Sequence, residues 1–302
     1  MNNTLKYDTS PALKDSSRPV ILDHIRHYLS NNQLLFASSK YYSASDTIVV
    51  VLIMSSNKPA IVLVQGSFQI PQVYQKLVSA LESKGYLVAQ PEFPSLTGQD
   101  DPLFGTKTLD DDSKSVQSTI EDLVEKQGKA VVVAMHSYGG LVGSNAIPKS
   151  LSWKERQARG KPGGVIHLFY FAAFLLEAGK SVIGTFGESP NNEIKPGGRF
   201  CIREAGAKMY SDLPDDERTY WEEKVIDQSY AVQTTELTHA AYQYIPSTYV
   251  VSENDQAVPT QYQEMFAASA NAEVLRIAAG HSPMLSKPDE LASMMDAAVS
   301  KA

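Results

Sequence analysis

The sequence predicts an α/β fold with a central, mostly parallel sheet, helices on both faces and a helical lid insertion. From residue 59 onward, apolar runs typical of buried strands alternate with amphipathic helix patterns, which indicates βα units. The strand runs are continuously apolar rather than alternating, as in strands that are covered on both faces. This alternation stops over residues 175–246, and these residues form the predicted insertion.

Strand candidates recur along the chain as short runs rich in Val, Ile and aromatic residues. They are AIVLVQ (60–65), YLVAQP (86–91), AVVVAM (130–135), VIHLFYFAAF (165–174), STYVVSE (247–253) and EVLRIA (273–278).

The first predicted helix opens at Pro71 and closes at Gly85, where glycine suits a left-handed cap. Its buried face collects apolar residues at helical spacing: Val73, Leu77, Val78 and Leu81.

The next helix carries a capping box of Thr108 and Asp111 and stops at Gly128. Two further helices are predicted, one after Pro259 and the last one from Pro288.

Residues 175–246 hold two loops rich in Gly, Pro or acidic residues and many aromatic side chains. An insertion of this size after the fourth strand predicts a lid of short helices over the strand ends. Most of these aromatics are expected to pack the lid onto the body.

Residues 1–53 are rich in Ser and Asn and carry no clear supersecondary pattern. The run IVVVLIM (48–54) is much shorter than the roughly 20 residues of a bilayer span, and is either a strand or has no regular role. We therefore expect an N-terminal extension, poorly ordered and dispensable for folding, before a domain at 54–302.

The composition excludes several classes of protein. The net charge is -7 with both signs interspersed, so no basic stripe predicts a nucleic-acid partner. The N-terminus lacks a signal-peptide layout, and no membrane partner is expected. The single cysteine, Cys201, fits a reducing compartment, so a cytoplasmic protein without metal or cofactor is predicted. Oligomeric state is left open, with a homodimer as one alternative.

The segment AVVVAMHSYGG (130–140) resembles a nucleophile elbow. A strand that feeds a sharp turn with Ser137 at its apex would expose the hydroxyl above the sheet. The pattern G-x-S-x-G is met at Gly139 but not at Met135. An ordinary tight turn between strand and helix is the alternative.

A serine nucleophile needs a base, and His281 is the favoured candidate because it follows the last strand after a glycine. The carboxyl ends of parallel strands share one edge of the sheet, so Ser137 and His281 can meet there. The other histidines fall in the extension, beside Ser137, within a strand or in the lid: His24, His27, His136, His167 and His239.

The third residue should be a carboxylate that orients the imidazole. Asp255 lies just beyond the fifth strand and 26 residues before His281. Glu253 and Glu177 are rivals.

Oxyanion donors are predicted in the turn VQGSF (64–68). Gly66 permits close approach of the backbone, so the amide of Ser67 or Phe68 could join that of Tyr138. The alternative is an ordinary glycine turn.

From about residue 59 onward the chain resembles an α/β-hydrolase. It is similar to the branch of plant methylesterases and hydroxynitrile lyases and to related fungal hydrolases. The motifs that carry this resemblance are VLVQGSF, HSYGG with LVG, FYFAAF, TYVVSENDQAVP and AAGHSPML. The resemblance implies a serine hydrolase with Ser137, Asp255 and His281 as nucleophile, acid and base.

The chain departs from this branch in three places. Gln65 stands where relatives usually have a histidine before the glycine, and Met135 replaces a small residue. Ser282 occupies the position of the lyases' lysine, which disfavours cyanohydrin cleavage.

The sequence therefore predicts a cofactor-free serine hydrolase that cleaves a small, largely hydrophobic ester or lactone through an acyl-enzyme. A lyase or C–C bond hydrolase with the same triad is one alternative. A non-catalytic receptor for a small ligand is the other.

Overall fold

The computed structural model describes residues 58–302 with their side chains, and before them the backbone of three strands. These strands are β1 (Thr4–Asp8), β2 (Phe36–Ala44) and β3 (Thr47–Met54). They form an antiparallel sheet in the order β1-β3-β2. The run at 48–54 thus lies in a strand, which was one of its two interpretations.

The contacts within the chain divide it between Lys58 and Pro59. Much of the predicted extension at 1–53 lies outside the described residues, so its poor order and its dispensability stay predictions. The same holds for the predicted domain start at residue 54.

The second unit contains the predicted parallel sheet. Its strands, with those of the insertion, are β4 (Ala60–Val64), β5 (Val88–Ala89), β6 (Ala130–His136), β7 (Gly164–Phe171), β8 (Asn192–Lys195), β9 (Arg199–Ile202), β10 (Gln228–Ser229), β11 (Ser247–Ser252) and β12 (Glu273–Ile277).

Six of these strands form one sheet in the order β12-β11-β7-β6-β4-β5, and every neighbouring pair is parallel. The mostly parallel α/β prediction is confirmed, although β5 is shorter and β7 ends earlier than predicted. Strands β4, β6 and β11 are buried over nearly their whole length, as their apolar runs require. The edge strand β12 is mostly exposed.

The α-helices of this unit, in chain order, are α1 (Gln75–Ser83), α2 (Leu109–Glu121), α3 (Gly139–Asn145), α4 (Trp153–Ala158), α5 (Val182–Phe186), α6 (Ala205–Met209), α7 (Asp215–Glu222), α8 (Ala231–Thr234), α9 (Thr260–Ser269), α10 (Pro283–Ser286) and α11 (Pro288–Val299).

The predicted helix signals act where expected. A 3₁₀ turn at Pro71–Tyr74 leads into α1, and Gly85 follows that helix with φ +88°. Thr108 accepts from the Asp111 amide while the Asp111 carboxylate accepts from the Thr108 amide, which completes the capping box of α2. A π-helical turn (Asp122–Lys126) extends α2.

The insertion at 175–246 differs from the all-helical prediction. It holds the short helices α5 to α8, but also an antiparallel sheet in the order β10-β9-β8. Its strands have only two to four residues, and β8 and β10 are mostly polar, so they lack the long apolar runs by which the central strands were found. Aromatics such as Tyr210 and Tyr242 are buried in the common core, as expected of side chains that attach the insertion to the body.

Candidate active site

Ser137 lies at the apex of the turn between β6 and α3, with φ +52°. A left-handed backbone is costly for a residue with a side chain, and such strain is typical of functional turns. The turn forms because glycines let α3 approach the sheet. A Cβ atom at Gly139 would lie 2.5 Å from the carbonyl oxygens of Val64 and Gln65.

Ser137, His281 and Asp255 come together as predicted. The Ser137 hydroxyl oxygen lies 3.1 Å from Nε2 of His281, and Nδ1 of His281 lies 2.9 Å from Oδ2 of Asp255. An ionised carboxylate only accepts hydrogen bonds, so Nδ1 donates to it and Nε2 is left to accept from the serine. All three residues are buried.

Asp255 is fixed by the loop after β11. Its Oδ1 accepts from the amides of Ala257 and Val258, each at 2.8 Å. Gln263 donates to Oδ2 at 3.1 Å. The rivals Glu253 and Glu177 are exposed, and neither contacts His281 through a hydrogen bond.

Asp212, which lies in the insertion, contacts the loop that carries His281. The Gly280 amide donates to Asp212 at 2.6 Å. A Cβ atom at Gly280 would lie 2.6 Å from an oxygen of that carboxylate, so the contact requires glycine.

The remaining described histidines lie elsewhere. His167 is buried on β7 with its Nε2 near the Thr248 hydroxyl, and His239 is half-buried beside Thr238. His24 and His27 are outside the described residues.

His136 contacts the backbone of His281 and makes no hydrogen bond with the Ser137 hydroxyl. Its Nε2 lies 2.8 Å from the carbonyl oxygen of His281, and its Nδ1 lies 2.8 Å from the Tyr74 hydroxyl. Burial holds the pKa of His136 well below its usual range, and the nearby His281 acts in the same direction. A carbonyl only accepts, so the neutral ring carries its proton on Nε2 and accepts from Tyr74.

This tautomer fixes the orientation of Gln69. The Tyr74 oxygen also accepts from the Gly66 amide at 2.7 Å, and its one proton goes to His136. The Gln69 amide therefore turns its NH₂ group toward Tyr74, 2.7 Å away, and its oxygen toward Ser282, 3.3 Å away. Tyr74 and Gln69 were not anticipated from the sequence, because a helix-facing tyrosine is normally core.

The predicted oxyanion residues surround Ser137, although Gly66 differs from the others. Its own amide is taken by Tyr74, and a Cβ atom there would lie 2.9 Å from Cβ of Ser137. Gly66 thus permits close approach. Within residues 58–302 the amides of Ser67, Phe68 and Tyr138 have no protein acceptor, and all three residues line the cavity.

Tyr138 is anchored from behind by Asp112, which the sequence did not single out. The Tyr138 hydroxyl donates to Oδ2 of Asp112 at 2.8 Å, and the Ser95 hydroxyl donates to the same oxygen at 2.6 Å. Complete burial raises the pKa of Asp112 to about 7, although the hydrogen bonds from Ser95 and Tyr138 oppose the rise. Gln228 of the insertion donates to the Ser95 hydroxyl.

A cavity of about 390 Å³ opens at Ser137 and His281 between the sheet and the insertion. Phe186 of α5 lies edge-on to Phe174 and Phe266, with ring centroids 6.4 and 6.1 Å away. The other apolar lining includes Phe68, Leu141, Val258 and Phe200.

Over the described residues, no group of His, Cys, Asp and Glu side chains is arranged to hold a metal ion. The helices of this part of the chain are too short or too polar to cross a membrane.

The fold and the Ser137 turn define the class of protein: the chain belongs to the Alpha/beta hydrolase family, which it matches over residues 61–294. Among curated proteins it is similar to the alpha/beta hydrolase nvfD of Aspergillus novofumigatus, with 32% identity covering 81% of this chain and 98% of the relative.

Solved structures share the fold at lower identity. Polyneuridine aldehyde esterase is 18% identical with a TM-score of 0.63, covering 80% of this chain and 99% of the esterase. The methylesterase MES16 from Arabidopsis is 18% identical with a TM-score of 0.61, covering 81% of this chain and 100% of its own. The protein is a hydrolase of this family.

Proposed function

We propose that the protein is a serine hydrolase that cleaves a small, largely hydrophobic ester or lactone through an acyl-enzyme. The observation that carries the proposal is the chain of hydrogen bonds from Asp255 through His281 to Ser137 at the floor of an apolar cavity. The names of the esterase and methylesterase neighbours agree with ester cleavage.

In the first step Ser137 Oγ attacks the substrate carbonyl while Nε2 of His281 takes its proton. Asp255 keeps the proton of the neutral ring on Nδ1 and stabilises the imidazolium that forms. His281 then protonates the leaving alcohol, and an acyl-enzyme on Ser137 remains. Water activated by His281 releases the acid and restores the hydroxyl.

The oxyanion is held by the Tyr138 amide together with the amide of Ser67 or Phe68. The support is that these residues line the cavity and that their amides have no protein acceptor among residues 58–302. Fixed donors of this kind stabilise the charge that develops in the transition state without reorganisation. The contact of Tyr138 with Asp112 keeps its position fixed.

The insertion at 175–246 acts as the lid of this site. It contributes Phe186, Phe200 and Met209 to the cavity wall. An apolar wall of this kind favours a hydrophobic acyl or alcohol group and excludes water from the reacting carbonyl.

Replacement of the nucleophile tests the proposal. Ser137→Ala should lower the kcat for a short-chain 4-nitrophenyl ester by about 10³-fold or more, because no hydroxyl remains to be acylated. Ser293→Ala, an exposed serine on α11, is the matched control and should leave kcat unchanged. Equal activity of the wild type and Ser137→Ala would refute the proposal.

A further inference from the structure

Gln233 is a polar group in the cavity that the hydrolytic steps do not use. It lies on α8 in the insertion, lines the cavity and is only 8% exposed. Within residues 58–302 its side-chain amide has no hydrogen-bond partner. Its polar atoms are not themselves fully buried, so the amide is open to the cavity and can exchange bound water for a hydrogen bond to a ligand.

The other polar residues of the insertion that line the cavity are either paired within the protein or more exposed than Gln233. Asn192 donates to Glu188 at 2.9 Å, and the Tyr230 hydroxyl donates to the other oxygen of that carboxylate. Asn191 and Ser189 are only half-buried, so water can reach them. Among these polar residues of the insertion, Gln233 is therefore the most enclosed, and it has no protein partner within residues 58–302.

The position of Gln233 is fixed by its surroundings. Its backbone amide donates to the Tyr230 carbonyl at 2.9 Å, and the Tyr230 amide donates to Gly198 at 2.8 Å. Its neighbour Val232 is fully buried. The backbone of Gln233 is therefore held in place at the cavity wall, which favours a defined contact with a ligand.

The charges of the residues that line the cavity restrict the class of ligand further. Among the described residues, no lysine or arginine lines it, and the acidic residue Glu188 lies in its wall. An anionic substituent would find no counter-ion there and would lose its hydration. A carboxamide both donates and accepts, so it suits a neutral hydroxyl or carbonyl group.

We propose that Gln233 is a specificity-determining residue, and that the substrate is a neutral, oxygenated hydrophobic ester whose hydroxyl or carbonyl group, remote from the scissile bond, pairs with the Gln233 amide. This inference rests on the proposed hydrolase function and adds the class of substrate to it. The aromatic wall of Phe174, Phe186 and Phe266 accommodates the apolar body of such a molecule.

The test uses 4-nitrophenyl esters of straight-chain acids of increasing length, each made with a terminal methyl, hydroxyl or carboxylate group. At the length that reaches Gln233, wild-type kcat/KM should favour the hydroxyl ester over the methyl ester by about tenfold and should be lowest for the carboxylate. Gln233→Leu should abolish the preference for hydroxyl while the methyl ester is hydrolysed at least as fast. Gln233→Met, also apolar and of similar size, should behave alike and guards against a folding defect of one variant.

Asn192→Leu is the control from the same cavity wall and should retain the hydroxyl preference. A hydroxyl preference that is absent at every length, or unchanged in both Gln233 variants, would overturn the inference while ester hydrolysis itself persists.

A binding measurement distinguishes a failure of this inference from a failure of the proposed hydrolysis. The corresponding N-butyl amides, which resist cleavage, are titrated calorimetrically into the wild type and Gln233→Leu. Tighter binding of the hydroxylated amide to the wild type alone would support the role of Gln233 even without turnover. Equal binding of both amides to both proteins would contradict it.

Discussion

The Sδ atom of Met135 occupies the space that Gly143 leaves empty on α3. It lies 2.5 Å from the position that a Cβ atom at Gly143 would take. The sequence places Met135 where α/β-hydrolases usually have a small residue before the Ser137 turn. Gly143, eight residues later, provides the space that the larger side chain needs. Met135 and Gly143 therefore form a packed pair, in which the glycine makes room for the large side chain.

Gly143→Ala should therefore destabilise the protein by about 1–3 kcal/mol, because the new methyl group overpacks against Met135. Met135→Ala should also destabilise it through the space that it opens. The double variant should cost at least about 1 kcal/mol less than the sum, because the methyl group then enters that space. Urea unfolding of the four proteins measures this coupling.

Gly140 provides the control for this cycle. A Cβ atom there would meet the Phe174 carbonyl oxygen at 2.3 Å, which Met135→Ala cannot relieve. The effects of Gly140→Ala and Met135→Ala on the free energy of unfolding should therefore add. Additivity in the Gly143 pair would instead show that the two residues do not share one space.

Asp255→Asn should lower kcat for a short-chain ester by about 10³- to 10⁴-fold, because the amide NH₂ group favours the wrong tautomer of His281. Glu253→Gln, only two residues away but exposed, should leave kcat within about twofold. Steady-state kinetics decide between them. A large loss in Glu253→Gln with little change in Asp255→Asn would assign the acid to the rival.

Asp112 should make the free energy of unfolding depend on pH. Its pKa is about 7 in the folded protein against 3.8 ordinarily, so the folded state keeps a proton that the unfolded chain releases. The proton on Asp112 stabilises the folded state fully below about pH 4. This stabilisation is lost as pH rises from about 4 to 7, and above that range Asp112 no longer changes the free energy of unfolding with pH. Asp112→Asn removes this dependence, which amounts to at most about 4 kcal/mol.

The neighbouring Asp111 gives the opposite sign and serves as the control. The hydrogen bond from the Thr108 amide lowers the pKa of Asp111, so its contribution is lost as pH falls. Urea unfolding between pH 4.5 and 8 should show Asp112→Asn gaining on the wild type as pH rises. Asp111→Asn should run parallel to the wild type over this range, because the contribution of Asp111 is lost only as pH falls below its ordinary pKa of 3.8. Parallel curves for Asp112→Asn and the wild type would contradict the account.

The sequence was sufficient for the central strands and for the meeting of Ser137, His281 and Asp255. Both kinds of information are local: apolar runs mark buried strands, and residues just beyond parallel strands share one edge. These predictions needed only the order of residues along the chain and no knowledge of side-chain packing.

The features that were missed depend on contacts between distant parts of the chain. Tyr74 contacts His136 from 62 positions away, and nothing local distinguishes it from a core tyrosine. Asp112 belongs to a run of acids that suits the start of α2, and only the folded structure reveals that it is fully buried against Ser95. The place of Gln233 in the cavity wall is visible only in the folded structure, where the insertion covers the cavity.

The central claim is that Ser137 is the nucleophile, and the most direct measurement is the site of its covalent labelling. The protein is treated with a fluorophosphonate probe and digested, and the modified peptide is sequenced by mass spectrometry. We predict a single adduct on Ser137, formed more slowly in His281→Ala and absent from Ser137→Ala. An adduct on another serine, or labelling of Ser137→Ala at the wild-type rate, would contradict the account.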